Sequence, residues 1–299
     1  VFNPIYESPA QLSFGSFIQS KYSIGNGWSL GSGLRYDYRE ADPGNGYSVR
    51  EYTNWSPKVN LMYNMKGQRA ITVAYSEGFR APSLSELYLK HTSSYGLTMQ
   101  GNPNILPERV RAVEFSYDHP HSESWHWRIA TFYNQYENMI DFVYGLPVKA
   151  VNREGITGKG LEYQFNWLPT ESISFSGQYE FLDMEDRSGE PILYRSKHKG
   201  QFSISFKSNL ADIRFSTRIW SDQQYDDFLS HNYTVVGDKI IFPIETLPAQ
   251  AIPEIILSKQ IKSYKASLKI ANLLDSEYAL IQDYPMPGRT WHATLTKSL

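Results

Sequence analysis

The chain has 299 residues, 29 Lys and Arg against 31 Asp and Glu, a net charge of -2 and no cysteine. Such scattered, balanced charge has no signature of polyanion binding, so we expect no nucleic-acid partner, and the lack of thiols excludes disulfides, thiolate metal sites and cysteine nucleophiles. No segment approaches the ~18 consecutive apolar residues of a membrane-spanning helix. Aromatic residues form 15% of the chain although hydrophobic residues form only 41%, which suits either a large β-sandwich or a membrane barrel with aromatic girdles.

A period of two recurs along the chain and predicts strands with one apolar and one polar face. Between Trp28 and Tyr38, every second residue is mostly apolar and the residues between are polar or small. The same split recurs at 58–65, 70–75, 161–167, 173–181, 213–219 and 264–270. Helical candidates are few and weak, so the chain is predicted to be all-β and antiparallel.

Thirteen strands follow from these patterns, in chain order. They are predicted at 11–24, 28–40, 54–65, 68–78, 108–118, 125–140, 150–167, 173–184, 198–208, 211–222, 253–261, 264–273 and 288–298.

Short and long connections alternate between these strands. The long ones are predicted at 41–53, 77–107, 141–149, 185–197, 223–252 and 274–287. Transmembrane barrels have tight turns at the periplasmic rim and long loops outside, with apolar residues facing lipid and polar residues facing the lumen. A soluble β-sandwich shares the two-faced strands, but its apolar face is hidden and its loops do not sort so regularly. The membrane barrel is the favoured interpretation, and the sandwich is the alternative.

The direction of the chain follows if the short turns are periplasmic. The last strand then descends to the periplasmic rim, and the first strand begins at the external rim. Single-chain bacterial barrels normally have an even number of strands. Thirteen strands that start outside are therefore expected for a chain cut within an external loop.

Four stretches carry a family resemblance. Residues 76–88 read SEGFRAPSLSELY and 101–108 read GNPNILPE, while 271–278 read ANLLDSEY and 284–289 read YPMPGR. They resemble the barrel of TonB-dependent outer-membrane receptors, and shorter matches at 138–140 and 158–162 extend the resemblance over essentially the whole chain.

This resemblance implies a barrel of about 22 strands filled by an N-terminal plug that engages TonB. Residues 1–299 then correspond to the C-terminal part of the barrel, about 13 strands, with the plug domain absent. The plug and roughly nine front strands would come from a separate chain or from the missing front of this one, because exposed sheet edges are costly in lipid.

The implied function is uptake of a scarce metal chelate, either cobalamin or a ferric siderophore, across the outer membrane of a Gram-negative bacterium. The expected partners are outer-membrane lipid, TonB acting through the missing plug, and the small chelate. A passive porin or channel is the first alternative and a soluble sandwich binding module the second. No enzyme activity and no cofactor are expected.

Most motif residues have a structural interpretation. Gly78 lies where a strand ends, Arg80 could reach a polar lumen, and Pro82 stops ladder pairing. The alternative for Arg80 is contact with ligand. The motif residues expected to organise strand exits, turns and the last loop are Gly78, Phe79, Arg80, Pro82, Glu86, Tyr88, Asn102, Pro103, Glu108, Asn272, Asp275, Tyr278, Gly288 and Arg289.

No catalytic or metal site is predicted. The seven histidines show neither HExxH spacing nor a GxSxG partner, and the acidic loops lack the EF-hand order. Ligand contacts, if any, are expected from long-loop side chains that stack on a large rigid solute and hydrogen-bond its rim. This pool, in which local packing is the competing explanation for each member, comprises Tyr47, Tyr88, Tyr95, Tyr225, Phe228, His231, Tyr233 and Tyr284.

Overall fold

The computed structural model describes residues 8–92, 98–122, 124–145, 147–189, 192–237 and 239–297. Tyr95, one of the candidate ligand residues, lies outside the described residues.

One antiparallel sheet of thirteen strands organises the molecule, and its strands follow one another in chain order. We call it the barrel sheet. Its strands are Ala10–Gly25, Trp28–Asp42, Arg50–Asn64, Ala70–Arg80, Glu108–Ser122, Trp125–Glu137, Ile156–Thr170, Ile173–Glu185, His198–Phe206, Asp212–Trp220, Gln250–Ile261, Tyr264–Ala271 and Thr290–Lys297. All thirteen predicted strands are confirmed. The first and last strands each pair on one side only among the described residues.

Register separates the two faces of this sheet. Val113 lies opposite Tyr133, so two apolar side chains share one face, and Glu114 lies on the other face, where its carboxylate binds Arg128 at 3.0 Å. Because side chains alternate along a strand, this parity continues through the neighbouring strands. A second polar-face ion pair joins Lys269 to Glu254 at 2.8 Å.

The apolar face is not covered by a second layer of protein in the part of the chain that the structure describes. Val113, Phe115 and Tyr133 remain 47%, 45% and 44% exposed. A sandwich would bury this face against another sheet, so the sandwich alternative is wrong. Apolar surface of this extent needs a nonaqueous neighbour, and lipid is the neighbour that a membrane barrel provides. Among the described residues, no helix is long and apolar enough to cross a membrane.

Six long connections emerge from one end of the barrel sheet. We name them L1 to L6 in chain order: 43–49, 81–107, 138–155, 186–197, 221–249 and 272–289. The opposite end has tight turns, one of which, Lys66–Gln68, is a single 3-10 turn.

The long connections carry secondary structure of their own. L2 contains the helix Leu84–Tyr88, and the short strands in L2, L3, L5 and L6 are Lys90–Thr92, Thr98–Gln100, Met139–Val143, Val148–Arg153, Gln223–Asp226, Thr234–Val236, Lys239–Ile241, Ile244–Leu247, Ala279–Ile281 and Tyr284–Pro285.

Two predicted strands, 125–140 and 150–167, extend too far at their external ends and run into L3. The predicted strand 125–140 ends at Glu137, and the predicted strand 150–167 begins at Ile156. The intervening residues form a hairpin in a separate four-stranded sheet. The physical reason is backbone conformation, because Asn138 with φ 54° and Gly155 with φ 69° turn the chain out of the barrel sheet at both ends of the hairpin.

The main buried core lies among the long connections rather than inside the barrel sheet. It joins the external ends of barrel strands to L2 and L3, and its members are Ala41, Tyr52, Ala81, Leu87, Tyr88, Ile105 and Ala150. Such a core anchors L2 and L3 to the external ends of the barrel strands, because burial of these side chains removes apolar surface from water.

Candidate functional site

The exit from the strand Ala70–Arg80 is tied by charged hydrogen bonds. Nε of Arg80 donates to Oε2 of Glu108 at 2.5 Å, and its terminal nitrogens donate to Glu86 at 3.0 Å. Oε1 of Glu108 also accepts the N–H of Ile140 at 2.7 Å, which brings L3 into the same network. Arg80 thus connects L2 and two barrel strands.

The helix Leu84–Tyr88 begins with a capping box. Oγ of Ser83 accepts the N–H of Glu86 at 3.2 Å, and the Glu86 carboxylate accepts the N–H of Ser83 at 2.7 Å. This reciprocal pair satisfies two helix donors. Burial raises the pKa of Glu86, but the hydrogen bonds from Arg80 and Ser83 outweigh burial and hold that pKa below its usual range.

The other motif residues of L2 close the loop behind this helix. The N–H of Asn102 donates to Glu86 O at 2.8 Å, and its side chain donates to Ala150 O at 3.2 Å. Pro103 follows in a turn, and Pro82 is fully buried. Phe79 packs against the main core. The Asn102 side chain therefore joins L2 to the backbone of L3.

L6 is held by the second pair of motifs. Asn272 is 3% exposed and accepts the N–H of Ser276 at 3.0 Å, while Oδ1 of Asp275 accepts the N–H of Arg289 at 2.6 Å. A Cβ at Gly288 would lie 2.8 Å from Oδ1 of Asp275, so a larger residue would have to displace the carboxylate that accepts the N–H of Arg289. The carbonyl of Tyr278 accepts the N–H of Met286 at 2.9 Å.

An aromatic cluster interlocks L3 and L5, and Tyr144 lies at its centre. Its ring stacks on Phe228 with centroids 6.2 Å apart and meets Phe242 edge-on at 5.2 Å. Tyr233 approaches Phe242 at 6.0 Å. The carbonyl of Tyr144 also accepts the N–H of Ile240 at 3.1 Å. Two candidate ligand residues, Phe228 and Tyr233, therefore belong to one loop-to-loop contact.

Tyr194, from L4, lies beside that cluster and contacts Tyr225 and Asp226 of L5. The hydroxyl of Tyr194 donates to Asp226 O at 3.1 Å, and its ring lies 6.4 Å from Tyr225. Burial raises the pKa of Tyr194 to about 12, with Tyr144 and Asp226 acting in the same direction. Burial, with the negative charge of Asp141, also raises the pKa of Asp226.

The remaining candidate ligand residues are dispersed. Tyr47 lies in L1 and is 48% exposed, His231 is exposed in L5, and Tyr284 is 66% exposed in L6. Tyr88 is 2% exposed, and its hydroxyl donates to Ala41 O at 3.4 Å. No face of the Tyr88 ring is open to a solute, so the prediction of Tyr88 as a ligand contact is corrected to a core role.

Several residues of the loop cluster were not predicted as site residues. Tyr144, Tyr194 and Phe242 come together from three different connections. The sequence shows only that the long connections are rich in aromatic residues, and this composition does not indicate which rings contact one another. Within the described ranges, no group of three or more His, Asp or Glu side chains is close enough to hold a metal ion.

A family model described as TonB dependent receptor-like, beta-barrel matches residues 3–264. The chain belongs to this TonB-dependent receptor family. The Vitamin B12 transporter BtuB of Photobacterium profundum is 22% identical to this receptor chain over 255 residues, covering 82% of the chain and 38% of that protein. The Iron-regulated outer membrane virulence protein of Vibrio cholerae is 23% identical over 255 residues, covering 76% of the chain and 38% of that protein. The receptor chain spans less than half the length of these curated relatives.

Solved structures share the fold of this receptor chain. The copper transporter OprC superposes with a TM-score of 0.78 at 14% identity, covering 97% of the chain and 48% of OprC. The siderophore receptor PirA from Acinetobacter baumannii superposes with a TM-score of 0.73 at 14% identity, covering 97% of the chain and 46% of PirA. At these identities the likeness shows the barrel fold alone.

Proposed function

We propose that this chain is the later part of the barrel of an outer-membrane receptor that imports a scarce metal chelate, cobalamin or a ferric siderophore, by a TonB-dependent mechanism. The observation that carries the proposal is the division of the barrel sheet into an exposed apolar face and an ion-paired polar face, in a chain of the receptor family. This division suits lipid outside and an aqueous lumen inside.

The names of the relatives support the choice of cargo. They include vitamin B12 transport and iron-regulated outer-membrane proteins, and a structural neighbour is a siderophore receptor. In the proposed protein, the plug and the front strands complete the wall, TonB acts through the plug, and L1 to L6 form the external vestibule. The protein would reside in the outer membrane of a Gram-negative bacterium.

Uptake by cells with and without the gene tests the proposal. Cells carrying the complete protein should accumulate radiolabelled cobalamin or a radiolabelled ferric siderophore, and deletion of the gene or of TonB should abolish that uptake. Uptake that persists without TonB, together with steady conductance of the purified protein in planar bilayers, would instead identify a passive channel.

A further inference from the structure

A groove of about 470 Å³ lies on the apolar face of the barrel sheet, near the end that has the tight turns. Three adjacent strands form most of it, and their side chains meet in two rows across the sheet. The lining residues of these rows are Leu257, Lys259, Ala266, Leu268, Ala293 and Leu295. Because Ala266 and Ala293 are shorter than the leucines beside them, the surface is recessed between the leucines.

The groove has room for one acyl chain. A cavity of about 150 Å³ holds benzene, and this groove has about three times that volume. Leu295 is 69% exposed at its edge, on the side of the sheet that faces lipid in a membrane barrel. Lipid tails are as apolar as leucine, so packing alone gives little preference for one lipid over another. Selection of a particular lipid therefore requires contacts with its head group.

Two lysines supply a charge for such a contact. Lys259 lies opposite Ala266 and Lys297 lies opposite Tyr264, which places both lysines on the apolar face. Neither lysine forms an ion pair with a side chain in the described ranges. A cation on a lipid-facing surface, without an acidic partner from the protein, is suited to an anion from the lipid.

The charge on this part of the apolar face has one sign. Across the last four strands of the barrel sheet, the other residues that share the face with Lys259 and Lys297 are all uncharged. A second copy of the chain, docked here with two-fold symmetry, would present the same lysines to each other. Like charges would then oppose the contact, whereas an anionic head group complements it.

Both lysines lie at the depth of the lipid head groups. Lys259 is three residues before Lys262, in the turn that joins two barrel strands, and a strand advances about 3.3 Å per residue. The cost of a lysine on the lipid face falls steeply from the middle of the bilayer to its surface. Short turns of outer-membrane barrels are periplasmic, so these side chains extend to the head groups of the periplasmic leaflet.

The register allows the two lysines to bind one phosphate. Lys259 and Lys297 are two strands apart and offset by two residues, which separates their Cα atoms by roughly 12 Å at the usual strand spacing. Each ammonium sits on a flexible four-carbon stem, so the two can approach a phosphate from opposite sides. Charge-assisted hydrogen bonds from both Nζ atoms would then hold the phosphate above the groove.

We propose that this groove binds an anionic phospholipid of the periplasmic leaflet. One acyl chain lies in the recess over Ala266 and Ala293, and the phosphate accepts hydrogen bonds from Lys259 and Lys297. The inference concerns the outer wall of the barrel and does not depend on which solute the receptor imports.

Lipid binding to the complete protein, purified and delipidated in detergent, tests the inference. Native mass spectrometry counts the bound molecules during titration with dioleoylphosphatidylglycerol, and dioleoylphosphatidylethanolamine provides the same acyl chains on a head group without net charge. The first molecule of phosphatidylglycerol should bind about tenfold more tightly than phosphatidylethanolamine.

Charge variants assign this preference to the two lysines. The double variant Lys259→Gln, Lys297→Gln should bind phosphatidylglycerol only as tightly as phosphatidylethanolamine. Each single variant should lose about threefold, and these keep the test available if the double variant does not fold. Lys265→Gln is the matched control, because Lys265 precedes Ala266 in the same strand and lies on the polar face. It should bind phosphatidylglycerol as the unaltered protein does.

A second pair of variants tests the recess itself. Ala293→Phe fills the groove and leaves both lysines in place, so it should weaken binding of phosphatidylglycerol roughly threefold through lost contacts with the acyl chain. Ala251→Phe adds the same ring to the apolar face at the other end of its strand, opposite Ile219 and outside the groove. This control should not change lipid binding.

The inference is overturned if the two phospholipids bind equally well, or if the double lysine variant keeps the preference. Tighter binding of lipid A than of phosphatidylglycerol would assign the groove to the lipid of the outer leaflet and overturn it as well. A dimer that forms without lipid and is lost in Ala293→Phe would assign the groove to a second copy. Failure of chelate uptake refutes the proposed function alone, whereas equal binding of the two phospholipids refutes the lipid site alone.

Discussion

Nε of Arg80, the last residue of one barrel strand, donates to Oε2 of Glu108, the first residue of the next, at 2.5 Å. The same guanidinium binds Glu86 in the intervening connection. One cation therefore closes the two ends of L2 on each other, and the backbone of L3 joins through Glu108. The strand-exit motif acts as a hub for two connections.

Replacement of Arg80 by alanine should loosen L2. The arginine is 45% exposed, so each ion pair contributes modestly, and the combined loss should be about 1–2 kcal/mol of local stability. Limited proteolysis of the folded protein, with cleavage sites mapped by mass spectrometry, should show faster cutting within 81–107. Arg111→Ala breaks an ion pair with Glu137 on the barrel sheet and serves as the control. Equal proteolysis of the two variants would contradict the hub role of Arg80.

Acid should loosen the same connection through Glu86. Its pKa in the folded protein is below the ordinary value of 4.5, so its ionised form stabilises the fold. That contribution is complete above the ordinary pKa and is lost as pH falls through the lowered one. Hydrogen exchange of the segment 84–89, corrected for the intrinsic pH dependence, should therefore accelerate below about pH 4.5.

Glu86→Gln provides the comparison for this acid effect. The amide lacks the negative charge that binds Arg80, so exchange in the variant should be faster at neutral pH. Because the amide does not titrate, exchange should show no further acceleration in acid. An acid transition of the same size in the variant would assign the effect to another group.

The strands could be predicted because their information is local. Alternation over successive residues identifies a two-faced strand without knowledge of its partner, and all thirteen strands were identified in this way. The error at residues 139–153 has a local cause as well. Apolar residues continue beyond Glu137, and the boundary is set by the positive φ angle of Asn138, which alternation does not report.

The loop sites could not be predicted to the same depth. Tyr144 meets Phe228 and Phe242 across more than eighty residues of chain, and no periodic pattern links them. Gln223 and Gln250 both donate to backbone carbonyls of L6, at Leu280 and Ala279, although their residue types carry no signal of such a contact. Their proximity depends on strand register and on how the connections fold over the rim.

The contact between L3 and L5 should be tighter in acid. Burial and Asp141 raise the pKa of Asp226 above its ordinary value of 3.8, and Arg153 opposes them. A raised carboxyl pKa adds stability that is fully present below the ordinary value and is lost as pH rises through the raised one. Exchange of the Ile240 N–H, which donates to Tyr144 O, should report this loss after correction for intrinsic rates.

Asp226→Asn should remove this dependence on pH. The neutral amide resembles the protonated carboxyl in size and lacks its charge, so protection of Ile240 should stay high across the range. If the variant retains the pH profile of the unaltered protein, Asp226 is not the group responsible.

Two glycines of the barrel sheet make a matched test of its packing. A Cβ at Gly160 would overlap the backbone carbonyl oxygen of Phe181 and lie 2.5 Å from the Phe132 ring, whereas at Gly33 the nearest atom is Ile18 O at 3.5 Å. Both substitutions to alanine add one methyl group to a strand. Gly160→Ala should cost about 1–3 kcal/mol, because a backbone carbonyl cannot move aside as a side chain does. Gly33→Ala should stay within about 0.5 kcal/mol. Thermal unfolding of the complete protein in detergent measures both, and equal midpoints for the two variants would show that the strand pair at Gly160 relaxes without cost.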